Sequence, residues 1–308
     1  MAPAEGEGGA ELVRLVVTGA GGQLGSDVLA LAGHDERVAA VQGLSRRELD
    51  VTDRTSVRAV LTDQAAANGS LVVINCAAWT DVDGAEADEH GAYAINAAAP
   101  AHLAAACADI GARLIHVSTD YVFAGDAHDP YEVDDAPAPK TAYGRTKLAG
   151  EEAVRVLHPD DSYVVRTAWV YGATGANFVK TMAKLEQQRE TLTVVDDQRG
   201  APTWSKHLAA GLIELSVNSA IPPGILHATG AGDTTWCGFA RAIFAELGAD
   251  PARVLPCTTA DFPRPAPRPA YSVLSPTSWN DAGLTPLPPW RDALQAAFLE
   301  ARAAFTGE

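Results

Sequence analysis

A tyrosine and a lysine four residues apart, Tyr143 and Lys147, are the residues of this chain best suited to exchange a proton with a substrate. On a helix, side chains at this spacing lie on one face. A phenol has an unperturbed pKa of about 10, so it needs a nearby ammonium before it can exchange protons with a carbonyl oxygen. Lys147 could supply that charge, and the hydroxyl of Thr119 could hold the same oxygen. The pair alone is a weak signal, because such pairs are frequent on solvated helices.

A glycine-rich turn follows the first apolar run of the chain, at residues 12–17. Gly19, Gly22 and Gly25 lie between this expected strand and an expected helix over residues 26–32. Such glycines make a tight turn, let the backbone approach a pyrophosphate and let the helix pack closely on the sheet, while the amides of the helix N-terminus bind the phosphate charge. The pattern predicts a dinucleotide cofactor site.

Apolar, strand-like runs alternate with alanine-rich helical runs after this turn. Strands are expected over residues 38–44 and 71–78, and helices over residues 94–109 and 141–157. The alternation predicts an α/β fold with a doubly wound parallel sheet, in which ligands bind beyond the carboxyl ends of the strands. The residues expected at those ends are Gly19, Ala77, Ala78, Ser118, Thr119 and Trp169.

The organisation of the chain is predicted to change near residue 172, because prolines and short elements dominate beyond about residue 170. Residues 12–172 are expected to form the dinucleotide-binding domain. Residues 173–308 are expected to form mainly a smaller substrate-binding lobe, with some segments returning to the first domain. Residues 1–11 are small and acidic with no apolar stretch, which indicates a disordered tail and not a signal peptide.

The composition is that of a soluble enzyme with a large core: 308 residues, 47% hydrophobic and 20% charged. A formal net charge of −16 argues against general affinity for nucleic acid or anionic membranes, since phosphate binding needs a basic surface. No apolar run reaches transmembrane length. The four cysteines are far apart and lack metal-ligand spacing, which indicates a reducing cytoplasm.

Seven short motifs carry a resemblance to a known family. They are T-G-A-G-G-Q-L-G at 18–25, N-C-A-A-W-T-D-V-D-G-A-E at 75–86, S-T-D-Y-V-F at 118–123, Y-G-R-T-K-L-A-G-E at 143–151, R-T-A-W-V-Y-G at 166–172, D-Q-R-G-A-P-T at 197–203 and R-P-A-Y-S-V-L at 268–274. Together they resemble the dTDP-4-dehydrorhamnose reductase family of the extended short-chain dehydrogenase/reductase superfamily, over about residues 12–295. The resemblance implies a Rossmann-type sheet.

The resemblance also implies a reaction, the reduction of the C4 ketone of dTDP-4-dehydro-β-L-rhamnose to dTDP-L-rhamnose with a nicotinamide cofactor. Tyr143 would protonate the nascent alkoxide, Lys147 would lower the pKa of Tyr143 and bind the nicotinamide ribose, and Thr119 would orient the oxygen. Asp120 and Trp169 match substrate-contacting positions, and the apolar face of the indole suits the carbon face of a deoxyhexose. Core packing is the alternative role of Trp169.

Further positions match the cofactor contacts of the family. The pyrophosphate loop would comprise Gly19, Gly22, Gln23, Leu24 and Gly25. The adenine pocket would include Asp50 and Val51, and the nicotinamide side would include Ala77, Ala78, Trp79 and Thr80, together with Tyr143 and Lys147.

The end of the second strand bears on the choice of cofactor. A carboxylate about 20 residues after the glycines selects NAD, but this strand ends G-L-S-R-R at 43–47, with no acid in that segment before Glu48. Ser45 and Arg46 could hold a 2′-phosphate, so NADPH is preferred and NADH is the alternative. Some relatives dimerise through a magnesium ion held by glutamates, one of them just after the glycine loop. Asp27 stands there in this chain, so no metal site is assigned, and a homodimer stays open.

Two arginines in a proline-rich stretch, Arg264 and Arg268, are candidates for binding the substrate's diphosphate, since an acidic protein needs a local basic pocket for an anion. Prolines restrict the backbone and would present both side chains with little freedom left to lose. The alternative is that these arginines only keep an exposed linker soluble. Lys140 and Arg199 are the next candidates.

Other functions remain open on the sequence alone. A 4-ketoreductase for another dTDP-deoxysugar could share every catalytic motif. A sugar-nucleotide epimerase or dehydratase would use the same Tyr and Lys, although a dehydratase needs an Asp-Glu pair that Asp120 followed by Tyr121 does not provide. A non-catalytic partner protein, like the regulatory subunit of methionine adenosyltransferase, is disfavoured because Thr119, Tyr143 and Lys147 occur together.

Overall fold

The computed structural model describes residues 12–67 and 69–307, so the predicted tail over residues 1–11 lies outside the described residues. The strands are, in chain order, β1 (Val13–Thr18), β2 (Val38–Leu44), β3 (Ser70–Asn75), β4 (Arg113–Thr119), β5 (Ser162–Thr167), β6 (Val170–Tyr171), β7 (Leu192–Val195), β8 (Arg199–Gly200), β9 (Thr203–Trp204), β10 (Gly224–His227), β11 (Thr234–Thr235) and β12 (Val254–Cys257).

Helices cover both faces of the large sheet. They are α1 (Gln23–Ala32), α2 (Arg54–Ala65), α3 (Val82–Ala87), α4 (Glu89–Tyr93), α5 (Ala99–Ile110), α6 (Ala142–Leu157), α7 (Phe178–Gln188), α8 (Ser205–Val217), α9 (Trp236–Leu247), α10 (Thr277–Asp281) and α11 (Trp290–Thr306). A π-helical turn, Ala94–Ala98, leads into α5. Within the described residues, none of these helices combines the length and the apolar character needed to cross a bilayer.

Six parallel strands form the central sheet in the order β2-β1-β3-β4-β5-β10. Alternate residues of β1 pack into different cores, because Leu15 and Val17 face the helices α1 and α8 whereas Val16 faces α2 and α5. The strand order reverses between β1 and β3, which makes a crevice at the carboxyl ends where ligands bind in such folds. The prediction of a doubly wound parallel sheet is confirmed.

A second core lies beyond β5 and is rich in aromatic residues, among them Tyr171, Phe239, Phe244 and Phe298. It joins α7, α9 and α11 with the short pair β7 and β12. Later segments also return to the large sheet, since β10 pairs with β5 and α8 packs against α1. The division near residue 172 stays a prediction.

Candidate active site

The glycine loop forms a cradle at the carboxyl end of β1. Gly19 has a φ of +68°, and a Cβ added there would lie 2.6 Å from the backbone nitrogen of Ala77. A Cβ on Gly25 would lie 2.4 Å from the Gly19 carbonyl oxygen. Helix α1 begins at Gln23, directs its N-terminus into the loop, and receives no side-chain cap from the described residues. These features fit a pyrophosphate, which needs close backbone approach and free amides.

The residues that follow β3, from Ala77 to Trp79, lie beside this cradle. Asn96, in the π-helical turn, accepts a hydrogen bond from the Trp79 backbone N–H (2.9 Å) and donates to the Trp79 carbonyl (3.1 Å). The same amide donates to the Thr146 hydroxyl on α6 (3.2 Å). Asn96 therefore fastens the expected nicotinamide side to the catalytic helix. The sequence signal for it was one polar residue in an alanine-rich run.

The turn after β2 lies beside the glycine loop, because the Leu44 carbonyl accepts a hydrogen bond from the Ala20 N–H (3.3 Å). Ser45 and exposed Arg46 are therefore at the predicted ribose position. The Glu48 carboxylate folds back onto Ser45. It accepts hydrogen bonds from the Ser45 backbone N–H (2.8 Å) and from the Ser45 hydroxyl. This exposed carboxylate holds the two Ser45 donors that we expected to face a 2′-phosphate.

The remaining adenine-side candidates are at the next turn. The Asp50 carboxylate accepts hydrogen bonds from the Thr52 N–H (3.0 Å) and hydroxyl (2.7 Å), and Val51 is buried. Thr80, on the nicotinamide side, is exposed. The cofactor contacts of these three residues stay predictions.

Helix α6 carries the catalytic pair at its first two turns. The Thr141 hydroxyl caps the helix by accepting the Gly144 N–H (3.0 Å). Only glycine fits at position 144, because a Cβ there would lie 2.2 Å from the Tyr121 carbonyl oxygen. The ring of Tyr143 is held edge-to-face against Tyr121, with centroids 5.5 Å apart. Lys147 is buried and donates to the Val117 carbonyl on β4 (2.7 Å).

Thr119 and Asp120 end β4 beside the phenol. The Thr119 hydroxyl donates to Asp120 Oδ1 (2.8 Å), while the buried Asp120 Oδ2 has no hydrogen-bond partner among the described residues. Burial raises the pKa of Asp120 to about 6 and the pKa of Tyr143 to about 12. The nearby Thr119 side chain opposes this rise in the pKa of Tyr143. That Thr119 and Tyr143 act on the same substrate oxygen stays a prediction.

The contacts of Lys147 differ from those expected. Its amine hydrogen-bonds Val117 O and lies 3.3 Å from Nε2 of His116, and no hydrogen bond joins it to Tyr143 among the described residues. Burial lowers the pKa of Lys147 to about 8. The pKa of Tyr143 is nevertheless raised by burial, with only the Thr119 side chain opposing the rise.

Trp169 is stacked within the protein. Its ring lies 3.5 Å from that of Trp236 with an interplanar angle of 8°, and the backbone has a φ of +48°. A Cβ added to Gly200 would lie 2.4 Å from the same indole. One face of Trp169 is thus covered by Trp236, and a contact between Trp169 and a sugar stays a prediction. Sequence reasoning missed Trp236, because it is 67 residues away along the chain.

Both candidate arginines pair with one carboxylate, which sequence reasoning also missed. Asp83 on α3 lies 2.6 Å from Arg264 and 2.9 Å from Arg268. Arg268 lines a pocket of about 200 Å³ whose other walls include Lys140, Tyr121 and Thr141, whereas Arg264 does not line it. The structure therefore separates the two arginines: both are anchored, and one faces a cavity next to the catalytic strand.

Lys140 and Arg199, the next candidates for binding the diphosphate, also differ in whether they line this pocket. Lys140 lines this pocket and pairs with Asp126 (2.8 Å). Arg199 is outside the pocket lining and pairs with Asp233.

A doubly wound sheet with a glycine cradle, a Tyr/Lys helix and a hydroxyl at the neighbouring strand end defines an oxidoreductase of the extended short-chain dehydrogenase/reductase class. The chain matches the family described as RmlD substrate binding domain over residues 13–303. It is 49% identical over 288 residues to the dTDP-4-dehydrorhamnose reductase of Streptomyces griseus, covering 92% of this chain and 93% of that protein. The chain belongs to the dTDP-4-dehydrorhamnose reductase family.

Two further comparisons bear on substrate and cofactor. The chain is 47% identical over 286 residues to the dTDP-4-keto-6-deoxy-D-glucose reductase of Streptomyces niveus, covering 92% of this chain and 96% of that protein. The crystal structure of dTDP-4-dehydrorhamnose reductase from Bacillus anthracis in complex with NADP has a TM-score of 0.86 and 36% identity, covering 93% of this chain and 99% of that one.

Proposed function

We propose that the chain reduces the C4 ketone of dTDP-4-dehydro-β-L-rhamnose to give dTDP-L-rhamnose, using a reduced nicotinamide dinucleotide. The observation that carries this proposal is that Thr119, at the end of β4, and the α6 residues Tyr143 and Lys147 lie at the sheet edge that also carries the Gly19 cradle. Family membership supports the substrate class, since the relative in Streptomyces griseus is named for this sugar nucleotide. The reaction would complete the synthesis of dTDP-rhamnose.

Each catalytic side chain has a separate task in this reaction. When bound, the cofactor supplies the hydride. Tyr143 gives its phenolic proton to the C4 oxygen as that oxygen gains charge, and the product is a secondary alcohol. The Thr119 hydroxyl hydrogen-bonds the same oxygen and orients it. Lys147, as an ammonium, stabilises the phenolate that remains after transfer.

The cofactor would be held by the glycine cradle, the N-terminus of α1 and the turn after β2. We propose NADPH as the preferred reductant and NADH as the weaker one, because that turn carries groups suited to both. Arg46 suits a 2′-phosphate, whereas the Glu48 carboxylate on Ser45 suits a ribose hydroxyl. The complex of the Bacillus anthracis relative with NADP supports the first choice.

The diphosphate of the substrate would bind at the pocket that Arg268 and Lys140 line. Each cation already has a carboxylate partner, Asp83 and Asp126 respectively, so the anion would compete with these carboxylates. Asp120 would contact the sugar through its unpartnered Oδ2. Trp169 would contact it from the stack with Trp236. A homodimer and residence in the cytoplasm remain predictions.

A second substrate is favoured by one specific comparison, the relative in Streptomyces niveus named dTDP-4-keto-6-deoxy-D-glucose reductase. The 4-keto sugars of the two reactions differ in stereochemistry, and the same catalytic side chains could serve both. The deciding experiment follows oxidation of NADPH with dTDP-4-keto-6-deoxyglucose alone and with the same sugar plus the epimerase that makes dTDP-4-dehydrorhamnose. Turnover that needs the epimerase supports our proposal, and equal turnover without it favours the second substrate.

A further inference from the structure

A row of three polar side chains crosses the sheet beneath the active site. Thr18 on β1 is in register with Asn75 on β3, and Asn75 is in register with His116 on β4. All three are buried, at 0%, 1% and 0% exposure respectively. The row ends at the catalytic helix, where Nε2 of His116 lies 3.3 Å from Nζ of Lys147.

The orientation of the Asn75 amide is fixed by its neighbours. Its Oδ1 accepts hydrogen bonds from the Thr18 hydroxyl (2.6 Å) and from the Ala77 backbone N–H (3.2 Å). A backbone N–H can only donate, so this atom must be the oxygen. The amide nitrogen then faces Nδ1 of His116 at 2.9 Å.

This orientation selects one tautomer of His116. An amide nitrogen only donates, so Nδ1 of the ring must be the unprotonated nitrogen. The neutral imidazole therefore carries its proton on Nε2, which is the nitrogen that faces Lys147. An ammonium there would meet the ring donor to donor, whereas a neutral amine would accept the N–H through its lone pair.

We propose that His116 is a positioning residue for Lys147: its Nε2–H, set by Asn75, holds the amine in place and favours its neutral form. This inference rests on the proposed function only for its catalytic consequence. If Lys147 were an ammonium donating to Nε2 of His116, the ring proton would be on Nδ1. The Asn75 amide would then have to rotate and turn its NH2 toward the Ala77 N–H, and the hydrogen bond between Asn75 and Ala77 would be lost.

The charges around the lysine act in both directions. Burial lowers the pKa of Lys147 to about 8 and lowers the pKa of His116 well below its usual value, so the ring stays neutral. The Glu151 carboxylate and the Cys76 thiol raise the pKa of Lys147. Tyr143 lies one helical turn before the lysine on the same helix. The row does not conduct protons, because the amide of Asn75 has no proton to pass on at neutral pH.

The catalytic consequence is an upper pH limit. The ammonium that stabilises the Tyr143 phenolate is present at pH values below the pKa of Lys147 and is lost as the pH rises through it. By favouring the neutral amine, His116 lowers this limit. Removing the ring N–H should therefore extend activity to higher pH.

The test measures the protonation of Lys147 directly. The chain has five lysines, so protein labelled with ¹⁵N-lysine gives few Nζ signals, and Lys147→Arg assigns the one in question. His116→Asn keeps an acceptor for Asn75 but removes Nε2, and His116→Gln can present a carbonyl oxygen to the amine. We expect both variants to raise the titration midpoint of Lys147 by about one pH unit, the shift that one hydrogen bond would give.

A matched control is available in His158, another buried histidine, which contacts the Ala112 carbonyl (2.9 Å) and not Lys147. His158→Asn should leave the titration of Lys147 unchanged. The pH at which kcat/KM falls on the alkaline side should be higher in the two His116 variants than in the wild-type protein, and it should be unchanged in the control. Circular dichroism establishes that each variant is folded.

Two results would overturn the proposal. One is an unchanged Lys147 midpoint in folded His116→Asn and His116→Gln, even with reduced kcat. The other needs no substitution at the site: ¹⁵N-histidine spectra of the wild-type protein that show His116 protonated on Nδ1. Neither measurement uses turnover, so a failed assay with dTDP-4-dehydrorhamnose would overturn the proposed function and leave this inference testable.

Discussion

The cofactor side and the substrate side of the active site are built from different parts of the chain. The cofactor side is mainly backbone: Gly19 and Gly25 have no room for a Cβ, and the N-terminus of α1 is open. The substrate side is mainly side chains that already bind one another, as Asp83 does with Arg268 and Trp169 does with Trp236. If the proposed function is correct, the first side is open to its ligand, whereas the side chains of the second would exchange partners to receive one.

The largest effect is expected where the two sides meet, at Tyr143. Tyr143→Phe should lower kcat by roughly 10² to 10⁴, the usual contribution of a positioned general acid, and leave the Kd of NADPH nearly unchanged. Stopped-flow kinetics and fluorescence titration measure the two quantities. Near-normal turnover would show that another group is the acid.

Substitution of a single glycine on the cofactor side should weaken cofactor binding. Gly19→Ala puts a Cβ 2.6 Å from Ala77 N at a φ of +68°, so we expect the Kd of NADPH to rise by at least about tenfold. Gly21→Ala is the matched control, because a Cβ there has no atom within 4 Å among the described residues. Equal affinities in the two variants would contradict a backbone cradle at Gly19.

The substrate side should respond unequally to its two arginines. Arg268→Ala should raise KM for the dTDP-sugar by about tenfold, which corresponds to a lost contact of about 1.4 kcal/mol, with the Kd of NADPH unchanged. Arg264→Ala should have a smaller effect, since its side chain is 48% exposed and lies outside the pocket. An unchanged KM in both variants would move the diphosphate site elsewhere, with Lys140 and Arg199 to be tested next.

The smallest effect is expected on cofactor preference. Glu48→Gln should tighten NADPH relative to NADH by a few-fold, because it removes a carboxylate charge from the site of the 2′-phosphate, and Arg46→Ala should do the reverse. Isothermal titration with both cofactors measures the ratio. A ratio that moves in the same direction in both variants would disprove this account of the turn.

The cofactor side was also the more predictable side, for the same physical reason. Local patterns define backbone features, so the second strand was predicted with its observed bounds, Val38–Leu44. The helix predicted over residues 141–157 is α6, Ala142–Leu157, which begins one residue later because Thr141 is its cap. The third strand was predicted to run to residue 78 but ends at Asn75, whose side chain binds the Ala77 N–H instead of continuing the ladder.

The partners on the substrate side depend on contacts between distant parts of the chain. Asp83 and Arg264 are separated by 181 residues, and no local pattern pairs them. The same holds for the contact between His116 and Lys147 and for the one between Asn96 and Trp79, at separations of 31 and 17 residues. These residue types were visible in the sequence, but which groups they would meet was not.

The amide of Asn96 has a consequence for the timing of catalysis. Because it binds both Trp79 and Thr146, hydrogen bonds within the protein join the residues that follow β3 to the helix that carries Tyr143. Their separation is then a property of folding and not of binding. The conformational entropy cost of this geometry is therefore part of the free energy of folding, and cofactor binding need not supply it.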